Sequence, residues 1–154
     1  MHTVIIEIKA SPAIVFSWLE EPAKLQQWLP NIVENEVIKE TDNKVGSTWR
    51  QVYEENGRRM EMFGTTTLYE PYKRTACEIK GPMFDLDIDY RLEDLDGSTR
   101  LTQNTVIKMK GFFKIMGFIM GPFMKKSQDK QADESFAKLK RFAEAEAVTN
   151  TAPA

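Results

Sequence analysis

The order of the elements that the sequence predicts is its most constraining feature. One strand comes first, then two short helices, a long stretch without helical periodicity, and one amphipathic helix at the end. Within residues 31–110, turn-forming residues recur at the spacing of β-hairpins. The sequence therefore predicts an α+β fold, in which a curved antiparallel sheet of about seven strands wraps around the C-terminal helix and leaves a cavity beside it.

The N-terminal residues predict the first strand and the two short helices. Apolar and polar residues alternate over residues 3–9, which is typical of a strand with one buried face. Ser11 before Pro12 is typical of a helix N-cap followed by proline at the first helical position. Pro22 then begins a second short helix, and Pro30 ends it.

The middle of the chain predicts strands whose inward faces can be assigned. Residues 84–93 alternate most clearly, with Phe84, Leu86, Ile88, Tyr90 and Leu92 on one face. The same rule assigns these further residues to inward faces: Trp49, Gln51, Tyr53, Met60, Met62, Thr75, Cys77, Ile79, Leu101, Gln103, Thr105, Ile107 and Met109. We expect these side chains to form the core and the wall of the cavity.

The last predicted helix begins at Gly121 and Pro122. Its apolar positions recur at steps of three and four residues: Met124, Ala132, Phe136, Leu139 and Ala143. Residues 111–120 fit either a preceding helical turn or a loop. A helix of about 26 residues is roughly 39 Å long and can cross seven strands spaced about 4.8 Å apart. Residues 1–147 are expected to form a single domain, and residues 148–154 a flexible tail.

Composition excludes several classes of protein. The chain has 154 residues, of which 42% are hydrophobic, enough for one domain with a sizeable core. A net charge of -2 gives no field that would attract nucleic acid or an anionic membrane. The single Cys77 excludes an internal disulfide, and the first residues lack a secretory pattern, so a cytoplasmic location is expected. The most apolar window, residues 111–124, is about 14 residues long against the roughly 20 needed to span a bilayer.

Short motifs occur in a definite order along nearly the whole chain. They are Ala10-Ser11-Pro12, Val15-Phe16, Trp18-Leu19, Pro22, Leu25, Trp28, Leu29-Pro30, Val45-Gly46, Tyr69-Glu70-Pro71 and Gly97-Ser98-Thr99-Arg100-Leu101-Thr102. Together they resemble the START-like (SRPBCC) superfamily, and most of all its polyketide cyclase/dehydrase and lipid-transport branch. The resemblance implies a helix-grip fold, with a hydrophobic cavity under the long helix. It does not fix the function, because this fold serves carriers, cyclases, hydrolases and chaperone co-factors.

The predicted cavity is expected to bind or transport a small hydrophobic molecule, such as a lipid, a quinone, a polyketide or another aromatic metabolite. The expected ligand-binding residues are Trp49, Gln51, Tyr53, Met62, Phe84, Leu86, Ile88, Tyr90, Gln103, Thr105, Ile107, Phe118, Phe123, Met124 and Phe136. Tyr90 is the preferred orienting group, because a phenol joins an apolar ring to a polar tip. The alternative for the polar members is mutual hydrogen bonding across the strands.

The sequence shows no catalytic arrangement, so catalytic residues stay unassigned. His2 is the only histidine and lies at the extreme N-terminus, and Cys77 is expected to be a small core residue. Alternation turns Arg50, Glu61 and Glu78 outward, which leaves no paired carboxylates for acid-base work. If the protein is an enzyme, the resemblance suggests one of the cyclase or dehydrase type.

No metal or cofactor is expected. Asp85, Asp87 and Asp89 have the spacing of the first three ligands of a calcium loop. Tyr90, however, occupies the position where the sharp turn of such a loop needs glycine. We therefore expect the three aspartates to lie on the solvated face of a strand. The sequence contains no glycine-rich phosphate loop.

Residues 112–124 concentrate aromatic rings and several of the chain's eight methionines. This segment fits a soft wall for an apolar ligand, ordinary core filling, or transient contact with a protein partner or a membrane surface. Contact with a partner would suit a chaperone-assisting role, which is a third functional hypothesis. No stable membrane insertion is expected, and no nucleic-acid partner, because basic residues are not interleaved with exposed aromatics.

Overall fold

The computed structural model describes the backbone of residues 1–55 and 57–151, and the side chains of residues 1–55, 57–111 and 130–150. The elements follow the predicted order. They are β1 (His2–Ile8), α1 (Pro12–Glu20), α2 (Pro22–Trp28), β2 (Ile32–Lys39), β3 (Thr48–Glu55), β4 (Arg58–Glu70), β5 (Arg74–Lys80), β6 (Phe84–Asp94), β7 (Thr99–Met109) and α3 (Phe112–Thr151).

The strands form one antiparallel sheet in the order β1-β7-β6-β5-β4-β3-β2. The strands β2 to β7 follow one another as a meander, and β1 closes the order by pairing with the last strand. Irregularities in the register lie between Thr66 and Leu68 on β4 and at two places on β2. Such bulges bend a sheet. The α+β fold of helix-grip type that the sequence predicts is confirmed.

The outer face of the sheet carries ion pairs between neighbouring strands. The Arg74 guanidinium donates two hydrogen bonds to Asp89, at 3.0 and 2.9 Å, and Lys108 lies 2.7 Å from Asp87. The Arg74 hydrogen bonds hold the pKa of Asp89 below its usual range. The aspartates of β6 are therefore a solvated strand face, as the alternation predicts.

A densely packed core occupies one end of the molecule, where α1, α2, β1 and the C-terminal half of α3 meet. The indole N–H of Trp28 donates to the Trp18 carbonyl at 2.9 Å, and its ring lies 5.4 Å from that of Phe136. Leu139 and Ala143 of α3 are completely buried there. This packed end fixes the C-terminal half of α3 on the molecule.

Polar contacts reinforce that attachment. Glu146 of α3 accepts hydrogen bonds from the Trp18 indole at 3.0 Å and from the Lys24 ammonium at 2.9 Å. The Lys24 bond holds the pKa of Glu146 below its usual value. The Lys140 ammonium donates to the Glu7 carbonyl of β1 at 2.8 Å. The helix is thus joined to both α1–α2 and the first strand.

The long helix starts earlier than the sequence suggests. It begins at Phe112, directly after Gly111, and has 40 residues. The sequence pattern predicts a start at Gly121, because Pro122 is typical of the first turn of a helix. Gly111 takes a φ of +51°, a left-handed conformation that suits glycine and separates β7 from α3. The helix includes residues 148–151 of the expected tail, and residues 152–154 lie outside the described part. Among the described residues, no helix is long and apolar enough to cross a bilayer.

Candidate ligand-binding cavity

A cavity of about 410 Å³ lies between the concave face of the sheet and the α1–α2 pair. The sheet contributes mainly Ile32, Asn35, Val37, Trp49, Gln51, Tyr53, Thr66, Tyr69, Thr75, Cys77, Ile79, Ile88 and Tyr90. The helices contribute Leu19, Pro22, Leu25 and Leu29, and charged residues at its rim are Glu20, Glu21, Glu40 and Lys44. The sequence places the cavity beneath the C-terminal helix. Among the described side chains of α3, however, none lines it, because that half of the helix packs against α1, α2 and β1.

Side-chain exposure separates this hollow region from the packed end. Ile8 and Leu139 in the packed core are 0% exposed. Tyr53, Cys77 and Ile88 also point to the inside of the sheet, yet they are only half-buried. Inward-facing side chains keep accessible surface when they border open space. The concave face is therefore open at these positions, although Gln51 and Ile79 of the same wall are only 4% exposed.

Two tyrosine–glutamine pairs lie on the concave face. The Tyr53 hydroxyl donates to Oε1 of Gln51 at 3.1 Å, and Nε2 of Gln103 donates to the Tyr90 hydroxyl at 2.9 Å. The expected mutual pairing across strands is thus present between Tyr90 and Gln103. It leaves the Tyr90 hydroxyl hydrogen and the Gln51 amide nitrogen without an acceptor among the described residues.

Trp49 carries a third unpaired donor. Its indole lies flat over Gly64 of the neighbouring strand, so that a Cβ atom at Gly64 would come within 2.6 Å of Nε1 and closer still to Cε2. The buried Nε1 has no hydrogen-bond partner within the described part of the chain. A buried unpaired donor costs about 1–3 kcal/mol. Gly64 therefore makes room for the ring, and the N–H of the ring stays buried without a partner among the described residues.

The phenols of Tyr53 and Tyr90 and the thiol of Cys77 are held neutral by burial. Burial raises the pKa of the Cys77 thiol to about 12. Burial also raises the pKa of Tyr53 and that of Tyr90 well above the usual phenol value, and the neighbouring Cys77 adds to both shifts. Near pH 7 the thiol is protonated and is not an activated nucleophile.

This neutrality predicts a loss of stability in alkali. The unfolded Cys77 thiol ionises near its ordinary pKa of 9.0 and the tyrosines near 10.0, whereas the folded protein keeps these protons to higher pH. Above pH 9 the unfolded state therefore binds fewer protons, and the free energy of unfolding, fully present below pH 9, falls as pH rises toward 12.

Urea unfolding at a series of pH values measures this effect. We expect Cys77→Ala to move the start of the decline up to about pH 10, where the tyrosines begin to contribute. A free energy of unfolding that stays level between pH 8 and pH 11 would contradict the assignment.

At the rim, a hydrogen bond between side chains joins α1 to the sheet. The Tyr69 hydroxyl lies 2.9 and 3.1 Å from the two carboxylate oxygens of Glu20 and donates to them. Burial, followed by this bond, raises the pKa of Tyr69 to about 12. Nearby, the Lys44 ammonium pairs with Glu40. The rim therefore carries paired, mainly acidic groups.

The structure brings together some of the predicted site residues. Those on the described wall are Trp49, Gln51, Tyr53, Ile88 and Tyr90. Those on the same sheet but outside the described wall are Met62, Phe84, Leu86, Gln103, Thr105 and Ile107. Phe136 lies in the packed core. Phe118, Phe123 and Met124, and with them the segment 112–124, fall outside the described side chains.

Other wall residues were not predicted as site residues. Leu25 and Leu29 of the α2 region face the cavity, and Cys77 borders it although the sequence suggested a plain core position. The apolar stripe on α2 was a usable signal for the two leucines. No pattern in the sequence predicted that Glu20 or Lys44 would lie at the rim, because only the folded chain brings them there.

The described residues contain no group of three or more histidine, cysteine, aspartate or glutamate side chains that could hold a metal ion. The polar groups of the described wall are amides, phenols, hydroxyls, one thiol and one indole, with charged side chains at the rim, and they are set among aliphatic and aromatic side chains.

Residues 2–144 match the family model described as polyketide cyclase / dehydrase and lipid transport. The chain belongs to this family. The match covers β1 through most of α3, so the whole sheet and the cavity lie within the polyketide cyclase / dehydrase and lipid transport domain. A search of curated proteins found no match to the chain.

Solved structures similar to this member of the polyketide cyclase / dehydrase and lipid transport family share its fold. A protein from Thermus thermophilus has a TM-score of 0.77 at 14% identity, covering 94% of this chain and 97% of that one. A START superfamily protein from Mycobacterium smegmatis has a TM-score of 0.72 at 18% identity, covering 97% and 98%. The Zhui aromatase/cyclase from Streptomyces sp. R1128 has a TM-score of 0.72 at 14% identity, covering 93% and 92%. At these identities the likeness shows the fold alone.

Proposed function

We propose that this protein binds a small hydrophobic molecule in the cavity between the sheet and the α1–α2 pair. The observation that carries the proposal is an open space of about 410 Å³ with a largely apolar wall, inside the range of small-molecule sites. The family description, which names lipid transport, agrees with it. We further propose that the ligand is a lipid, a quinone, a polyketide or another aromatic metabolite.

Apolar burial supplies the affinity. A ligand that buries about 200 Å² of apolar surface gains roughly 5 kcal/mol at ~25 cal/mol per Å², before the entropy lost on binding is subtracted. Leu25 and Leu29 from the helices and Ile79 and Ile88 from the sheet offer such surface on opposite sides. The neutral groups of Tyr90 and Gln51 then orient the ligand.

Binding or transport is favoured over catalysis by the protonation states in the wall. A general acid or base works best with a pKa near the working pH. The pKa values of Tyr53, Cys77 and Tyr90 are all raised away from neutrality, and the described carboxylates sit at the rim. A cyclase or dehydrase reaction stays the second candidate, because the family description includes both activities.

Binding can be measured directly with a neutral fluorescent probe such as N-phenyl-1-naphthylamine. We expect saturable binding with one site per chain, and native mass spectrometry of protein purified without detergent should show a co-purified apolar molecule. A protein that is empty in native mass spectrometry and takes up no probe would remove the basis for the proposal.

A matched pair of variants on β4 tests where the probe binds. Thr66 lines the cavity, whereas its neighbour Thr65 lies outside the described wall on the alternate side of the strand. We expect Thr66→Phe to weaken probe binding at least about tenfold, since the added ring occupies the cavity. Thr65→Phe should leave the probe affinity within about twofold of the unmodified protein. Equal effects of the two substitutions would place the probe elsewhere.

A further inference from the structure

The polar groups left unpaired in the cavity wall are mainly hydrogen-bond donors. The amide nitrogen of Gln51 can only donate. The oxygen of Tyr90 already accepts from Gln103 at 2.9 Å, so its own hydrogen is left to donate. Asn35 and the hydroxyls of the wall can either donate or accept a hydrogen bond. A ligand that satisfies this wall must present acceptors.

Charge in and around the cavity is arranged against an anionic ligand. Among the described wall residues, the carboxylates of Glu20, Glu21 and Glu40 stand against the single ammonium of Lys44, which is already paired with Glu40. Lys24 offsets Glu21 in part, at 3.4 Å, but lies outside the described wall. An anion entering the cavity would pass an acidic rim and meet no free cation among the described wall residues.

The interior itself disfavours negative charge. Burial raises the pKa values of Tyr53, Cys77 and Tyr90, which means that the same surroundings destabilise a phenolate or a thiolate. A ligand carboxylate placed among these groups would lose its hydration shell in the same way, without an unpaired counter-charge on the described part of the wall to offset the loss.

We propose that the cavity selects uncharged ligands bearing a carbonyl-type acceptor, such as a ketone or quinone oxygen, and rejects carboxylates of the same apolar shape. This inference rests on the proposed function and adds the chemical class of the ligand. The acceptor oxygen is placed against the donors of Tyr90 and Gln51, with the apolar body toward Leu25 and Leu29.

Three molecules of nearly equal shape test the inference by competition with the neutral probe. They are 2-acetylnaphthalene, 2-ethylnaphthalene and 2-naphthoate, which differ only in carrying a neutral acceptor, no acceptor or a negative charge. At pH 7.5 we expect the ketone to displace the probe at least about tenfold more tightly than the carboxylate. We expect it to bind about three- to tenfold more tightly than the ethyl compound, as one or two neutral hydrogen bonds allow.

A variant pair assigns the preference to the wall. Tyr90→Phe keeps the ring and removes one donor, so the advantage of the ketone over the ethyl compound should fall to about twofold or less. Tyr72→Phe makes the same chemical change on a side chain that is 55% exposed and outside the described wall, and it should leave that advantage unchanged. Gln51→Leu provides a second test of the donors if Tyr90→Phe does not fold.

The outcomes separate the two proposals. If the probe binds and 2-naphthoate or 2-ethylnaphthalene competes as well as the ketone, the inference is overturned while ligand binding stands. If the probe does not bind the unmodified protein, the proposed function fails and the inference fails with it. Probe binding with the ketone ahead of both other compounds supports both.

Discussion

Replacing Trp28 with alanine is expected to lower the free energy of unfolding by about 3–5 kcal/mol, as removal of a large buried aromatic side chain does. Trp28 is 1% exposed, and its ring packs against Phe136 while its N–H bonds to the Trp18 carbonyl at 2.9 Å. The substitution therefore leaves a cavity where α2 meets α3 and also leaves the carbonyl without that donor.

Urea unfolding followed by circular dichroism measures this loss. Trp28→Phe, which keeps an aromatic ring but not the N–H, should cost less than the alanine substitution. Ile5→Ala is the surface control, because Ile5 is 61% exposed, and it should change the free energy of unfolding by about 0.5 kcal/mol or less. A cost below about 1 kcal/mol for Trp28→Ala would show that the packed end does not stabilise the fold as described.

Gly64→Ala is expected to reduce both stability and ligand binding. A Cβ atom at Gly64 would overlap the indole of Trp49, at 2.6 Å from Nε1 and closer to Cε2, so the ring must leave its place over the strand. Forced repacking of this kind costs about 1–3 kcal/mol. Because Trp49 lines the cavity, a displaced ring moves into it, and probe affinity should fall at least about tenfold.

A double-mutant cycle isolates the contact between these two residues. In a Trp49→Leu background, Gly64→Ala should cost less than about 0.5 kcal/mol, because the ring that the methyl group displaces is gone. The same cost in both backgrounds would mean that the glycine acts through the backbone of β4 and not through the indole. Thr65→Ala, at the neighbouring position on the same strand, provides the control for strand propensity.

The sheet and its faces could be predicted because alternation is a local property of the sequence. The alternation over residues 84–93 predicts both the inward Tyr90 and the outward Asp89, and the structure has Tyr90 buried and Asp89 paired with Arg74 on the outer face. The partner of Tyr90 could not be predicted, since its bond to Gln103 depends on the register between β6 and β7. Register is set by the turn geometry and the whole sheet, and no single strand encodes it.

The position of the cavity was harder to predict than the sheet. The sequence pointed to the C-terminal helix as its cover, and the described wall includes α1 and α2, with Leu25 and Leu29 facing inward. The side chains of residues 112–129 of that helix lie outside the described part, so its share of the cover stays a prediction. Which helix covers which part of a curved sheet depends on where large side chains fill space. Here Phe136 and Trp28 fill the space at one end of the sheet. Local sequence patterns do not show how such side chains pack against one another.

The position of Trp49 could be predicted only in part, because it also depends on packing between residues that are distant in the sequence. Its inward direction follows from alternation, but its flat placement over Gly64 and its unpaired N–H depend on a neighbour in the next strand. A glycine inside a strand can mark such a close approach, although the sequence does not say what approaches it.

The cavity wall and the packed core share Leu19 and Tyr90, whereas other wall residues such as Tyr53 and Cys77 are only half-buried. Substitutions at the half-buried wall positions remove fewer close contacts than substitutions in the core, so they seldom threaten folding. A protein organised in this way can change its ligand preference through a few point substitutions. It is a natural starting point for redesigning binding preference, and libraries directed at the wall should retain a high proportion of folded members.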